Sequence, residues 1–164
     1  VASMNPCPCG YYGTDKECTC SSKAIAKYLG KVSGPLLDRI DIQVEVSSVK
    51  YKNFDIQTDE DTSNKIRARV EKTRELQIKR YKGTGIFSNS ELSPRLIEKY
   101  CKLNCESKSI LEKAFNKLGL SARAYTRILK VARTIADMDE SENIESKHLL
   151  EAIQYRSLDK KYSK

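Results

Sequence analysis

This sequence predicts a mainly α-helical fold: a C-terminal helical bundle preceded by an irregular, cysteine-containing segment and one or two strands. Three observations support the prediction. Apolar residues recur at helical spacing from residue 62 onward, prolines and glycines interrupt residues 1–35, and one short alternating run lies between these regions. With 164 residues, of which 39% are hydrophobic, the chain is long enough for one or two domains with a buried core.

Five helices are predicted in the C-terminal half, over residues 62–81, 94–100, 106–118, 122–137 and 145–155. Local signals set their ends. Ser93 and Ser121 are typical N-caps, and Gly119 suits the end of a helix. Helical spacing also predicts the buried faces of the last two helices, with inward residues at Tyr125, Ile128, Leu129, Ala132, Ile135, Ala136, Leu149, Leu150 and Ile153.

Residues 36–50 are predicted to contain an approach segment and a strand. Apolar residues alternate with polar ones there, at Ile40, Ile42, Val44 and Val46. Because one strand cannot form a sheet, its partners are expected outside this stretch. Residues 51–61 are polar and acidic, which is typical of a linker. The predicted domains are therefore residues 1–50 and residues 62–164, joined by residues 51–61.

The charge balance favours an anionic partner. A formal net charge of +8 suits nucleic acid, nucleotide phosphates or an acidic membrane surface, and charge alone does not choose among them. No apolar run approaches the roughly 20 residues that span a bilayer. The first residues also lack the basic and apolar regions of a signal peptide. We therefore expect a cytoplasmic protein with no membrane partner.

Four of the six cysteines form two Cys-x-Cys pairs, Cys7 with Cys9 and Cys18 with Cys20. In a reducing cytoplasm such pairs indicate a metal site or free thiols rather than disulfides. Four thiolates can close a tetrahedral zinc site, which would be structural because it leaves no open position for water. The alternative is a set of reduced thiols in a loop.

The first predicted helix of the bundle is strongly basic. Its candidates for contact with nucleic acid are Lys65, Arg69, Lys72, Lys79 and Arg80. One interpretation is a surface that neutralises the phosphates of DNA or RNA. The other is a solvated helix face with local ion pairs. The sequence leaves both interpretations open.

Two further arginines occupy positions that suit phosphate binding. Arg39 lies between Asp38 and Asp41, just before the alternating run, and either pairs with one of these carboxylates or presents its charged fork to a phosphate. Arg123 lies in the first turn of the helix capped by Ser121, where free N–H groups already attract anions. The alternative for Arg123 is an exposed side chain paired with a neighbouring carboxylate.

Four segments together resemble the second half of AAA+ ATPases of the magnesium-chelatase-like family, in particular its ComM/YifB branch. They are residues 4–11 (MNPCPCGY), 33–41 (SGPLLDRID), 120–137 (LSARAYTRILKVARTIAD) and 154–156 (QYR). The resemblance implies that the residues from 62 onward form the helical lid of such an ATPase. It also implies that residues 1–50 are a remnant of its α/β core with a Cys-x-Cys insert.

The resemblance implies roles for three residues. Asn5 would be the sensor 1 residue that orients the attacking water, Arg39 the arginine finger that reaches a neighbouring subunit's nucleotide, and Arg123 the sensor 2 residue of the lid. An amide can position water, and arginines stabilise charge on a transferring phosphoryl group. The chain contains no Gly-x-x-x-x-Gly-Lys-Ser/Thr phosphate loop, so by itself it is not expected to hydrolyse ATP.

For the full-length protein the resemblance implies ATP and Mg²⁺ as cofactors, a homo-oligomer that is expected to be a hexamer, and DNA as a partner. Relatives in the ComM branch are linked to branch migration of DNA during natural transformation. Two alternatives stay open. One is a magnesium chelatase subunit for tetrapyrrole metallation, and the other is a non-enzymatic, zinc-stabilised module that binds nucleic acid.

Overall fold

The computed structural model describes residues 1–46 and 62–156. Within these two ranges it contains seven α-helices, one short 3₁₀ turn and no sheet. The helices are α1 (Ser22–Leu29), α2 (Gly34–Leu37), α3 (Ser63–Arg80), α4 (Pro94–Tyr100), α5 (Cys105–Leu118), α6 (Ala122–Met138) and α7 (Ser146–Gln154), and the 3₁₀ turn (Asn89–Glu91) precedes α4. The predicted mainly α-helical fold with a C-terminal bundle is confirmed. No helix in the described ranges has the length and apolar character needed to cross a membrane.

Side-chain caps explain where the bundle helices begin and end. Thr62 accepts a hydrogen bond from the backbone N–H of Lys65 at the start of α3, at 3.4 Å. Ser121 does the same for Ala124 at the start of α6, at 3.1 Å. Gly119 ends α5 with a φ of 64°, a left-handed conformation that favours glycine. These local interactions account for the close agreement between predicted and observed helix ends.

The core of the bundle is built around α6. This helix contacts α3, α4, α7 and the 3₁₀ turn, while α5 packs against α7. Its buried apolar residues are Ala124, Ile128, Leu129, Ala132 and Ala136. Tyr125 and Leu150 were predicted to face inward, but both are exposed. Ala124, the residue just before Tyr125, is buried instead, and Leu149, which was also predicted to face inward, is buried as expected.

The strand predicted before the linker is not formed over its described part, residues 40–46. A strand needs a partner, and the described residues offer only an isolated bridge between Leu103 and Ile144, far along the chain. Ile42, Val44 and Val46 are instead 50%, 61% and 86% exposed. Residues 47–50, the predicted linker of residues 51–61 and residues 157–164 lie outside the described residues.

Helices α1 and α2 lie in a region where the sequence predicts irregular structure. The N-cap of α1 is Ser21, which accepts a hydrogen bond from the backbone N–H of Ala24 at 3.2 Å. Helix α2 has only four residues and contains Pro35 in its first turn. Both helices are short, and neither buries a residue, so neither leaves a long apolar pattern in the sequence.

A buried polar network joins α3, the 3₁₀ turn and α6. Its centre is Asp137, which is 1% exposed. The Asp137 carboxylate accepts hydrogen bonds from both terminal nitrogens of Arg80, from Nε of Arg133 at 3.1 Å and from Nδ2 of Asn89 at 2.8 Å. Arg133 also donates to two backbone carbonyls of the α6–α7 loop. One carboxylate therefore binds the buried Arg133, the partly buried Arg80 and an amide.

Replacing Asp137 with alanine is expected to lower the free energy of unfolding by about 3–5 kcal/mol, because it leaves the buried guanidinium of Arg133 and the partly buried one of Arg80 without their anion. Urea unfolding followed by circular dichroism measures this loss. Glu140→Ala is the matched control, since it breaks the exposed ion pair with Lys72 and should cost about 0–1 kcal/mol. Equal losses in the two variants would contradict a stabilising network at Asp137.

Candidate nucleotide, metal and nucleic-acid sites

The four cysteines of the two Cys-x-Cys pairs come together in one cluster. Their Sγ atoms all lie within 4.8 Å of one another. The Sγ atom of Cys7 is 3.3 Å from that of Cys9 and 3.7 Å from that of Cys18. In a tetrahedral site with zinc–sulfur bonds of about 2.3 Å, the sulfur atoms are about 3.8 Å apart. The cluster, completed by Cys20, therefore has the ligand set and nearly the dimensions of a four-cysteine zinc site.

A tight turn shapes this cluster. Gly10 has a φ of 85°, and its N–H donates to the carbonyl of Cys7 at 3.1 Å. The N–H of Tyr12 donates to the Cys7 Sγ at 3.4 Å. Hydrogen bonds lower the pKa of Cys9 to about 6. The largest effect comes from the backbone of Tyr11, and the next from the Cys7 thiol. At neutral pH, Cys9 is therefore available as a thiolate, the form that binds metal.

Asn5 is exposed and lies beside the cysteine turn. A Cβ atom placed on Gly10 would be 3.7 Å from the Asn5 Nδ2 atom. In the part of the chain that the structure describes, no hydrogen bond joins Asn5 to Arg39 or Arg123. The structure therefore places this residue beside the turn of the cysteine cluster.

Arg39 follows α2 and is exposed. Its Nη1 atom donates a hydrogen bond to the carbonyl of Pro35 at 3.3 Å, which is a contact within its own turn. No ion pair links Arg39 to a carboxylate of the described residues. Its charge is consequently directed to solvent at a position fixed by the preceding helix.

The aspartates on either side of Arg39 pair with the bundle instead. The Asp38 Oδ2 atom accepts a hydrogen bond from the Ser121 hydroxyl at 2.8 Å. Asp41 forms an ion pair with Arg127 of α6. The local sequence allowed Arg39 to pair with Asp38 or Asp41, and the structure forms neither pair. Both carboxylates are instead bound by Ser121 and Arg127, which lie more than 80 positions away in the sequence.

Arg123 is exposed in the first turn of α6 and lines a cleft of about 410 Å³. The other side of the cleft is formed by α2 and Asp38. The cleft therefore brings Arg123 opposite the segment that leads to Arg39. Arg39 itself is not among the residues that line this cleft.

The five candidate residues of α3 for contact with nucleic acid divide into two groups. Arg80 is held by buried Asp137, and both of its terminal nitrogens donate to that carboxylate. Lys65, Arg69, Lys72 and Lys79 are exposed, and Lys72 forms an exposed ion pair with Glu140 at 2.5 Å. The exposed group follows one side of the helix, because residues 65, 72 and 79 recur every seven positions.

Arg156 ends the motif Gln-Tyr-Arg of the family resemblance, but the sequence indicates no role for it. It follows α7, is 1% exposed and contacts the segment around Arg39 across 116 or more positions of sequence. The only signal for it in the sequence was its place in the motif Gln-Tyr-Arg. Its burial and its contacts could not be read from neighbouring residues.

Two family models match the chain. The model "Magnesium chelatase, subunit ChlI C-terminal" matches residues 60–156, and "Magnesium chelatase, subunit ChlI" matches residues 1–54. These matches place the chain among the AAA+ proteins. AAA+ proteins of the magnesium chelatase kind are typically oligomeric. Within that class, the chain belongs to the magnesium chelatase family. The family resemblance predicted from the sequence is confirmed.

Curated relatives are similar over nearly the whole chain. Competence protein ComM of Haemophilus influenzae is 44% identical over 159 residues, which cover 96% of this chain and 30% of the relative. YifB of Escherichia coli, whose full name is "Uncharacterized protein YifB", is 39% identical over 165 residues, covering 98% of this chain and 31% of the relative. The chain thus spans about a third of the length of the curated relatives it matches.

Proposed function

We propose that this chain is the C-terminal part of an ATP-hydrolysing AAA+ motor that acts on DNA. In this proposal, Arg39 is the arginine finger, Arg123 is sensor 2 and Asn5 is sensor 1. The full-length protein uses ATP and Mg²⁺, is cytoplasmic and assembles as a homohexamer. The domain division at residues 51–61 is part of the same proposal, and the two family matches, which end at residue 54 and begin at residue 60, support it.

The observation that carries the proposal is the environment of Arg39. An arginine finger needs a guanidinium that no local carboxylate neutralises and a backbone that holds it in place. Asp38 and Asp41 would neutralise Arg39 if they were available, but Ser121 and Arg127 bind them. The guanidinium therefore remains able to reach an anion on another subunit.

The lack of a hydrogen bond between Asn5 and Arg39 among the described residues is compatible with the proposed division of labour. A sensor 1 residue acts on the nucleotide of its own subunit, whereas a finger acts on that of its neighbour. Two residues with these roles lie at different nucleotides and need no mutual contact. Arg123, exposed on the cleft that α2 borders, supplies a second cation for phosphate from the lid.

The four-cysteine cluster is proposed to bind a structural Zn²⁺ ion. Cys7, Cys9, Cys18 and Cys20 supply all four ligands, so no position is left for a catalytic water. The ion would tie residues 7–9 to residues 18–20 and so fix the turn beside Asn5. This segment has few apolar residues with which to order itself in the absence of metal.

The exposed basic side of α3 is proposed to contact the DNA backbone. Lys65, Arg69, Lys72 and Lys79 belong to this surface, and Arg80 is left out because Asp137 occupies its guanidinium. The name of the 44% identical relative, a competence protein, favours DNA over the tetrapyrrole substrate of a magnesium chelatase. The family's own name keeps a chelatase subunit as the second candidate.

A charge-removal experiment tests the DNA motor. In the full-length protein, the triple variant Lys65→Gln, Lys72→Gln, Lys79→Gln should bind DNA more weakly. The slope of log K against log salt should become shallower by about 2.7, since each lost phosphate contact removes about 0.9. DNA-stimulated ATP hydrolysis should fall in parallel.

The matched control removes three lysines from α5, by Lys108→Gln, Lys113→Gln and Lys117→Gln. All three are exposed, so the change in net charge is the same. This control should retain the salt slope and the stimulation by DNA. Equal losses in both triple variants, or no DNA binding at low salt by the unmodified protein, would remove DNA from the proposal. ATP-dependent Mg²⁺ insertion into a porphyrin would then favour the chelatase.

A further inference from the structure

Arg156 is enclosed by the segment that carries Arg39. Its Nη1 atom donates to the carbonyl of Ile40 and, at 3.5 Å, to that of Leu37. Its Nη2 atom lies 3.2 Å from the Asp38 Oδ1 atom. These acceptors lie on both sides of Arg39 in sequence. A side chain that is 1% exposed therefore binds the backbone before and after the proposed finger.

Three more contacts hold the same segment on the bundle. Ser121 donates to the second carboxylate oxygen of Asp38, and Arg127 pairs with Asp41. The backbone N–H of Gln43 donates to the carbonyl of Tyr155 at 2.9 Å. We refer to Ser121, Arg127 and Arg156 as the lid clamp. Ser121 caps α6, Arg127 lies within α6 and Arg156 follows α7, whereas residues 37–41 supply the groups that they bind.

The clamp has two physical effects on Arg39. It occupies the flanking carboxylates, which would otherwise compete for the guanidinium. It also fixes the backbone by multiple hydrogen bonds, and a misplacement of about 1 Å at a catalytic group can cost about 100-fold in rate. Burial strengthens the contacts of Arg156, because water competes poorly for hydrogen bonds to an enclosed side chain.

We infer that Arg156, Ser121 and Arg127 are positioning residues that hold Arg39 for hydrolysis at a neighbouring subunit's nucleotide. The inference rests on the proposed function of Arg39 as the finger. It also makes the finger and the Arg123 lid helix one mechanical unit, since Ser121 caps that helix and binds Asp38. Movement of the lid thus displaces Arg39 with it.

The test uses Arg156→Gln in the full-length protein. ATP hydrolysis should show kcat reduced about 100-fold with the nucleotide Kd unchanged, as for loss of positioning at the transition state. Hydrogen–deuterium exchange of amides 38–43 should become faster, because their anchor is lost. Arg95→Gln, an exposed arginine of α4, is the control and should change neither quantity.

A second measurement separates positioning from a general loss of structure. In an Arg39→Ala background, Arg156→Gln should cause no further loss of kcat, because the clamp acts through Arg39. A further loss of about 100-fold in that background would overturn the inference, as would unchanged kcat in Arg156→Gln alone. If Arg156→Gln does not fold, Arg127→Gln carries the same comparison, since its ion pair with Asp41 is less buried than the contacts of Arg156.

The two proposals fail in different ways. If Arg39→Ala leaves kcat unchanged, the finger role is wrong, and the exchange of amides 38–43 still reports whether the clamp holds the segment. If Arg39→Ala abolishes hydrolysis while Arg156→Gln speeds exchange without lowering kcat, the finger role stands and the positioning role is wrong.

Discussion

Replacing Arg39 with alanine is expected to lower kcat for ATP hydrolysis by the full-length protein about 1000-fold or more, the contribution usual for an arginine finger. Nucleotide binding should be retained, because the finger stabilises charge that develops in the transition state. Steady-state hydrolysis and a separate nucleotide-binding titration measure the two quantities. Arg39 has no carboxylate partner in the described structure, so its removal leaves no buried anion and should not unfold the chain.

Two further substitutions sharpen this experiment. Arg39→Lys keeps the charge but loses the planar fork, so it should restore only part of the activity. Arg95→Ala removes an equally exposed arginine from α4 and should leave kcat unchanged. Full activity in Arg39→Ala, or a loss of nucleotide binding that accounts for the whole effect, would exclude the finger role.

The second large effect concerns metal. Elemental analysis of the purified protein is expected to find about one zinc ion per chain, bound by the four-cysteine cluster. The double variant Cys7→Ser, Cys9→Ser should lose it, because a structural zinc site contributes on the order of 10 kcal/mol that two ligands cannot retain. Residues 7–20 should then become more susceptible to proteolysis, while the melting of the helical bundle should change little.

The chain contains its own control for this experiment. Cys105 is an exposed cysteine at the start of α5, outside the cluster, so Cys105→Ser should keep the full zinc content. Protein that contains no zinc, and whose Cys7, Cys9, Cys18 and Cys20 are equally reactive to a thiol reagent with and without added zinc, would contradict the site.

The features predicted most accurately from sequence are those that depend on neighbouring residues. Thr62 and Ser121 stand at predicted helix starts, and each accepts a hydrogen bond from the backbone N–H of the residue three positions later, so the sequence carries the whole signal. The end of α5 at Gly119 is equally local. The failed strand shows the converse. The alternation from Ile40 to Val46 is present, but a strand also needs a partner, and alternation does not report one.

Most residues of the candidate site could be predicted from the sequence only because it resembles a known family. The cysteine spacing suggested a metal site without outside help, since both pairs lie within 14 residues. In contrast, the partners of Asp38 and Asp41 lie more than 80 positions away, at Ser121 and Arg127. Local charge favoured ion pairs with Arg39, and only the folded chain shows that these carboxylates are already bound.

The exposed alternating segment, residues 40–46, affects the tendency of the protein to aggregate. Ile42, Val44 and Val46 present β-branched surface to solvent, and their backbone has no ladder partner among the described residues. Such a segment is a template for intermolecular β-pairing. The net charge of +8 opposes aggregation by repulsion between chains, and Glu45 interrupts the apolar run. Because added salt screens that repulsion, the solubility of the chain is expected to decline as ionic strength rises.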